Sequence, residues 1–209
     1  MNSSFYKYTE FFILFILVPI SFVFNYSVWV KIAIGGMGFL YVIYLLLKFG
    51  NHSFSLSEHL NWKVFWRQTL LKLGGIALIT IIFVYITNKT LLFSVLINKP
   101  LLWIFILFIY SFLSVYPQEL IYRTLYFQRY DCLFKNKYSL IFVNALLFSL
   151  AHIFFKNSLV LLLTFIGGLL FAWTYFKTKS TLLVSIEHAV YGCWLFTVGM
   201  GGMLGFPLG

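Results

Sequence analysis

Acidic residues are scarce in this chain, with five Asp and Glu among 209 residues against fifteen Lys and Arg. Charged residues of both signs make up 10% of the sequence, whereas soluble domains carry about 25%. This scarcity excludes an ordinary soluble domain. It also makes the position of each acid informative, because an ionised side chain inside a bilayer costs roughly 2.5–3.5 kcal/mol on insertion scales.

Cysteine is nearly absent as well. Cys132 and Cys193 are far apart and lack the spacing of a metal site, so no disulfide framework is expected. The net charge is +10, and the basic residues are scattered between apolar runs. That pattern is typical of topology signals and of contacts with anionic lipids. We therefore expect a bilayer with anionic lipids as a partner, and no nucleic acid.

Long apolar runs dominate what is present, since 62% of the residues are hydrophobic and 22% are aromatic. Only helices and closed barrels satisfy the backbone within lipid, and a barrel shows short alternating segments instead of continuous runs. The sequence predicts an all-α polytopic transmembrane bundle of seven to eight helices, with 1–209 forming a single integral membrane domain. The predicted helices cover 11–30, 32–49, 70–87, 100–116, 117–134, 138–155, 158–176 and 181–199.

Local features add detail to this prediction. The segment 51–67 is amphipathic and is expected to lie in the interface, and the basic residues of 48–72 predict a cytoplasmic location. Pro117 suits the first turn of a helix, so 117–134 is expected to be a separate helix that is short, broken or interfacial. Gly167 and Gly168 predict close helix packing. The glycine-rich segment 199–209 predicts a flexible tail.

The five acidic residues fall into two groups. Glu119, Asp131 and Glu187 lie in apolar segments close to histidines or arginines, whereas Glu10 and Glu58 lie in more polar flanks. An acid in an apolar segment is expected to face a partner or a water-filled cavity. The first group therefore predicts a polar site inside the bundle.

Three pairs of residues stand four apart on predicted helices and so share a helix face: Glu119 with Arg123, Phe148 with His152, and His188 with Gly192. Taken singly, they fit a buried structural ion pair, an interfacial histidine and a local polar contact. Taken together, they fit hydrolysis, in which a carboxylate takes a proton from water, one imidazole orients that water and a second supports the oxyanion. Two histidines and a carboxylate could also hold a catalytic zinc ion. No H-E-x-x-H is present, so no metal and no other cofactor is expected.

The order of these pairs resembles the motifs of the CAAX protease and bacteriocin-processing (Abi) family of intramembrane endopeptidases, which are E-E-x-x-x-R, F-x-x-x-H and H-x-x-x-N. The resemblance covers about 118–198 and implies a catalytic core at about 117–199. The residues that match are Glu119 and Arg123 in the first motif, Phe148 and His152 in the second, and His188 in the third.

Two positions depart from the family pattern. Gln118 stands where the family has the first Glu, to which water activation is usually assigned. Gly192 stands where it has the Asn, so the side-chain oxyanion donor that the resemblance implies is missing there, and Tyr191, Cys193 or a backbone N–H could replace it.

In one hypothesis the chain is an active variant, in which Glu119, or Glu187 beside His188, supplies the carboxylate. Gln118 then orients that carboxylate or the substrate. In the other, the chain is a catalytically silent scaffold, chaperone or immunity protein that binds a peptide without cutting it.

We favour the active variant, because a silent site has no reason to keep its arginine and two histidines buried. The resemblance then implies hydrolysis of a membrane-tethered peptide or protein by water activated at Glu119 and His152, with His188 supporting the oxyanion. The composition is rich in Phe, Ile and Lys, which is typical of an AT-rich bacterial genome and predicts the bacterial cytoplasmic membrane.

Overall fold

Among the residues that the structure describes, the fold is a bundle of seven helices that are long and apolar enough to cross a membrane. The computed structural model describes residues 4–49 and 61–205, and within these ranges the chain is helical and contains no strand. The predicted class, an all-α polytopic membrane bundle, is confirmed. The helices are α1 (Ser4–Ser21), α2 (Val28–Phe49), α3 (Trp62–Leu91), α4 (Pro100–Arg129), α5 (Lys137–Phe155), α6 (Ser158–Thr178) and α7 (Thr181–Val198).

Helix α4 is one span, so the prediction of two helices, 100–116 and 117–134, was wrong. Pro117 lies inside the span, where its missing N–H and its ring disturb a regular α-helix. The chain accommodates it with two wide π-helical turns, Tyr110–Val115 and Leu120–Leu125, and the helix continues between and beyond them. A proline within lipid is tolerated when local adjustments of this kind satisfy the backbone.

Because α4 is a single span, most of the basic residues lie at one end of the bundle. Because the seven helices alternate in direction, the end of α4 and the start of α5 lie at the same end of the bundle as the end of α6. Nine of the fifteen basic residues gather at that end, and four lie at the other. The nine are Lys7, Lys48, Lys63, Arg67, Arg129, Lys135, Lys137, Lys177 and Lys179. By the positive-inside rule, this excess predicts that the basic end faces the cytoplasm.

A buried ion pair fixes α1 against α4 near the basic end of the bundle. Arg129 Nε donates to Glu10 Oε1 at 2.7 Å, and the Tyr130 hydroxyl donates to the same oxygen at 2.9 Å. Burial, with Glu10 beside it, raises the pKa of Tyr130, so its hydroxyl stays protonated and can donate. Glu10 lies in a more polar flank of the sequence, yet the fold buries it, because its partners Arg129 and Tyr130 come from more than a hundred residues away. Asp131, predicted to be in an apolar segment, is exposed after α4, and Glu58 lies outside the described residues.

Two glycine predictions had opposite outcomes. Close packing is confirmed at Gly168, where an added Cβ would lie 2.9 Å from the Ala145 Cα of α5. The prediction of a flexible tail was wrong for 199–205, because this segment folds back over the bundle with Met200 buried. Residues 206–209 lie outside the described residues. Of the predicted interfacial segment 51–67, residues 51–60 also lie outside them, and Trp62 onwards forms the first turns of α3.

Candidate active site

Helix α4 turns one polar stripe towards the centre of the bundle. A single cavity is lined by four of its residues that stand four apart, namely Tyr110, Ser114, Gln118 and Tyr122. In a regular α-helix, residues four apart drift around the axis by about 40° per step, because a turn holds 3.6 residues. The two π-helical turns each take in an extra residue and so counteract this drift. The irregular turns on either side of Pro117 thus keep the stripe facing the cavity.

A chain of three hydrogen-bonded side chains lies at the inner end of this cavity. His188 Nδ1 is 2.7 Å from Glu119 Oε1, and His188 Nε2 is 3.1 Å from the Tyr110 hydroxyl. A carboxylate only accepts, so the Nδ1–H of His188 donates to Glu119. The Nε2 of the neutral imidazole then carries the lone pair and accepts from Tyr110. This assignment of the tautomer follows from the hydrogen-bond network.

Arg123 secures the far side of the same carboxylate. Its Nε lies 3.3 Å from Glu119 Oε2, and neither side chain has any exposed area. The guanidinium group stacks over the Phe148 ring at 4.3 Å and lies 5.6 Å from the Phe171 ring. Its two terminal nitrogens have no hydrogen-bond acceptor within residues 4–49 and 61–205. Aromatic faces and one carboxylate therefore surround this buried charge.

The cavity has a volume of about 330 Å³ and an apolar lining broken by a few polar side chains. It extends from His188 in the bundle to Phe154 and Met203, at the end opposite to the basic residues. Gln118, His152, His188, Phe148 and Gly192 line it, whereas Glu119, Arg123 and Glu187 do not. No Asp or Glu of the described residues is part of the lining.

Gln118 presents an amide where the first Glu of the motif is expected. Its Nε2 donates to the Ser114 hydroxyl at 2.8 Å, which fixes the orientation of the amide group. Its Oε1 is buried, and no donor within the described part of the chain reaches it. A buried acceptor of this kind is costly unless a bound molecule satisfies it. Gln118 is therefore placed to accept a hydrogen bond from a molecule in the cavity.

His152 lies at the last turn of α5, on the wall of the same cavity. Its Nδ1 is 2.8 Å from the carbonyl oxygen of Phe148, which only accepts, so Nδ1–H is the donor. The Nε2 of His152 is then the lone-pair nitrogen, as in His188. The Phe148 ring contacts both imidazoles, with centroid distances of 4.9 Å to His152 and 5.6 Å to His188. The second motif thus joins the two histidines through one aromatic ring.

Glu187 belongs to a different contact, although it precedes His188. Its Oε1 accepts from Lys72 Nζ of α3 at 2.7 Å and from the Tyr191 hydroxyl at 2.9 Å. The Tyr191 hydroxyl also lies 3.3 Å from the backbone oxygen of Thr69. This cluster fastens α7 to α3. Glu187 is fully buried there and faces away from the cavity lining.

The described residues contain no group of three His, Cys, Asp or Glu side chains arranged to hold a metal ion. His188 Nδ1 is already engaged by Glu119, and His152 Nδ1 by a backbone carbonyl. The expectation that no metal is needed stays a prediction.

The sequence comparison adds a family to this geometry. Residues 100–194 match the family model described as Type II CAAX prenyl endopeptidase Rce1-like. The resemblance seen in the motifs is confirmed over this segment. The match supports a CAAX-type intramembrane protease fold for α4 to α7. Comparisons with curated proteins and with solved structures gave no match.

The Rce1-like segment holds all three motifs, and the structure shows what its two departures change locally. With Gln118 in place of the first Glu, the group at the cavity wall is neutral. The carboxylate of Glu119, which matches the second Glu of the motif, lies behind His188. With Gly192 in place of Asn, α7 has no side chain at that point, and the Tyr110 phenol of α4 fills the space. Both departures therefore lie in direct contact with the cavity.

Tyr110 is the residue of this site that the motifs did not predict. The sequence does carry a signal for it, because Tyr110, Ser114 and Gln118 are spaced four apart. Pro117 masks the signal, because a proline at this position predicts the start of a new helix that would separate Tyr110 from Gln118. Lys72 carried no comparable signal, because its partner Glu187 lies 115 residues away.

Proposed function

We propose that this chain is an intramembrane endopeptidase that hydrolyses a peptide bond in a membrane-associated peptide or protein. The observation that carries the proposal is the Glu119–His188 pair, a carboxylate and an imidazole bonded at 2.7 Å, beside a cavity that also holds His152. A carboxylate on Nδ1 fixes the tautomer and stabilises the imidazolium that forms when Nε2 takes a proton. His188 is thereby equipped to act as a general base.

In the proposed reaction, the oxygen of a water molecule attacks the carbonyl carbon of the scissile peptide bond. One water proton passes to Nε2 of His188, while Nε2 of His152 accepts a hydrogen bond from the other. The tetrahedral oxyanion then collapses, the C–N bond breaks, and His188 returns the proton to the leaving nitrogen. The products are a carboxylic acid and an amine, and the imidazole is again neutral.

This mechanism gives Glu119 a positioning role, in place of the direct proton transfer expected from the motif. Glu119 is fully buried and its Oε1 is occupied by His188. Gln118 cannot take a proton from water at neutral pH, but its Oε1 can accept an N–H of the substrate backbone. The neutral amide therefore serves to hold the peptide.

The charge distribution supports a particular substrate approach. Basic residues concentrate at one end of the bundle, and the cavity reaches the other end at Phe154 and Met203. If the basic end is cytoplasmic, a substrate segment enters from the non-cytoplasmic side or from the adjoining half of the bilayer. We propose the cytoplasmic membrane of a bacterium, rich in anionic lipids, as the location.

The silent scaffold is the second candidate, and one observation favours it. No acidic side chain of the described residues lines the cavity, although the family pattern supplies one at position 118. A protein of this kind would bind a membrane peptide in the cavity and release it uncut.

One experiment separates the two candidates. The chain is reconstituted in lipid vesicles with a library of randomised peptides, half anchored by a fatty acyl group and half by a prenyl group. Fragments are identified by mass spectrometry. The peptidase proposal expects fragments from the wild type, and a fall of about 10²–10⁴-fold for His188→Ala, the usual range for loss of a general base. Peptides recovered bound but intact from wild-type vesicles would establish the scaffold instead.

A matched control variant is available in the chain itself. Glu10, like Glu119, is a buried carboxylate paired with an arginine, but its partners are Arg129 and Tyr130, neither of which lines the cavity. Glu10→Gln should keep the cleavage rate per folded molecule, whereas Glu119→Gln should lose it. Equal loss in both variants would mean that folding, and not the site, accounts for the result.

A further inference from the structure

Gly192 and Tyr110 fit each other across the boundary between α7 and α4. A Cβ added at Gly192 would overlap the hydroxyl oxygen and two ring carbons of Tyr110. Gly192 lies within a regular part of α7 and has no left-handed backbone that would require glycine. Helix interiors disfavour glycine by about 1 kcal/mol relative to alanine. The space taken by the phenol is therefore the structural reason for glycine at this position.

The phenol is held firmly in that space. Its ring packs edge-on against Phe196 at 4.9 Å between centroids and against the His188 ring at 6.0 Å. Its hydroxyl is bonded to His188 Nε2 at 3.1 Å and lines the cavity. The π-helical turn that begins at Tyr110 sets the position of this side chain on α4. A hydrogen-bond donor thus lies beside the nitrogen that takes the proton from water.

We propose that Tyr110 supplies the oxyanion hydrogen bond that the motif assigns to an asparagine at position 192. The donor has moved from α7 to α4, and the loss of the side chain at Gly192 makes room for it. This inference rests on the proposed peptidase function and adds a catalytic residue outside the three motifs.

The hydrogen bond between Tyr110 and His188 does not block this role. A phenolic hydrogen can turn about the C–O bond while the oxygen stays in place. In the resting site the hydrogen points to Nε2. When water donates to Nε2, the Tyr110 hydrogen turns to the carbonyl oxygen of the substrate and stabilises the negative charge that develops there. Only this hydrogen turns while the oxygen and the ring stay in place, so the reorganisation during the reaction is small.

The first test removes the hydroxyl alone. Tyr110→Phe should lower kcat by about 10²–10³-fold, the usual effect of losing one oxyanion donor, and should leave KM within about threefold. The control is Tyr126→Phe, on the same helix. That tyrosine is fully buried and donates to the Leu140 backbone oxygen, but it lies outside the cavity. Its kcat should stay within about twofold of the wild type.

The second test moves the donor back to α7. Gly192→Ala should lower kcat as much as Tyr110→Phe does, because the added Cβ displaces the phenol. Tyr110→Ala should be equally slow. The double variant Tyr110→Ala/Gly192→Asn restores an amide donor without a clash, and its kcat should exceed that of Tyr110→Ala by at least about tenfold. A purely structural role for Tyr110 predicts no such rescue.

A binding measurement supports the kinetics. A peptide aldehyde built on the best-cleaved library sequence hydrates to a tetrahedral form, and the corresponding peptide alcohol does not. Transition-state analogues gain affinity from interactions that substrates lack. Tyr110→Phe should lower the affinity for the peptide aldehyde by at least about tenfold and leave the affinity for the peptide alcohol unchanged. If Tyr110→Phe cleaves at the wild-type rate while His188→Ala does not, the oxyanion role is overturned and the peptidase function stands. If the wild type cleaves nothing, both proposals fail.

Discussion

Glu119→Gln should separate the stability of this site from its chemistry. The substitution keeps the size and shape of the side chain but removes its charge. Arg123 then stays buried, with no exposed area and no other acceptor among the described residues. The other acid nearby, Glu187, is already bonded to Lys72 and Tyr191. Breaking a buried ion pair by removing one partner costs about 3–5 kcal/mol, because it leaves the other charge uncompensated.

A double variant identifies the cause of that loss. Arg123→Met replaces the guanidinium with an apolar chain suited to the space between the rings of Phe148 and Phe171. Glu119→Gln/Arg123→Met should therefore recover at least about 2 kcal/mol of the stability lost in Glu119→Gln, since replacing both charged partners is often close to neutral. Cleavage should not recover, because the amide still cannot stabilise the His188 imidazolium. If Glu119 had a purely structural role, cleavage would recover together with stability in the double variant.

The measurement is reversible unfolding in mixed micelles of a mild detergent and SDS, followed by tryptophan fluorescence. Peptide cleavage is measured on the same samples and expressed per folded molecule. If the free energy of unfolding of Glu119→Gln lies within about 1 kcal/mol of the wild-type value, burial of Arg123 does not depend on this carboxylate and the reasoning is wrong. If the double variant regains cleavage, Glu119 contributes to the fold alone.

Three further predictions follow from single contacts. Gly168→Val should destabilise the bundle by about 1–3 kcal/mol in the same unfolding assay, because the added side chain would push α6 away from Ala145 of α5. The control is Gly75→Ala, which should not destabilise the bundle because no atom lies within 4 Å of the added Cβ. Purification without added metal should yield no stoichiometric zinc by elemental analysis, and about one zinc per chain, lost on His152→Ala, would contradict this. Gln118→Glu should be tolerated and should keep or raise the cleavage rate, since it restores the family's pair of acids; abolished cleavage would show that the neutral amide is essential.

The sequence alone was sufficient to predict the membrane bundle and the matched family. Apolar runs of about 20 residues have few alternatives, because lipid forces the backbone to satisfy its own hydrogen bonds. Glu119 and Arg123 stand four residues apart on one helix, and this spacing alone brings them into contact. Local geometry determined these features, so the local sequence carried them.

Only the tertiary structure decided how the pieces meet. Glu10 finds Arg129, and Glu187 finds Lys72, across more than a hundred residues, and no local pattern encodes such a distance. Pro117 reads as a helix start in sequence, yet π-helical turns on either side carry α4 through it. Gly192 reads as the loss of a functional side chain, yet the folded chain places the Tyr110 hydroxyl in that space. A missing side chain is replaced by whatever packs against the gap, and packing is set by the whole bundle.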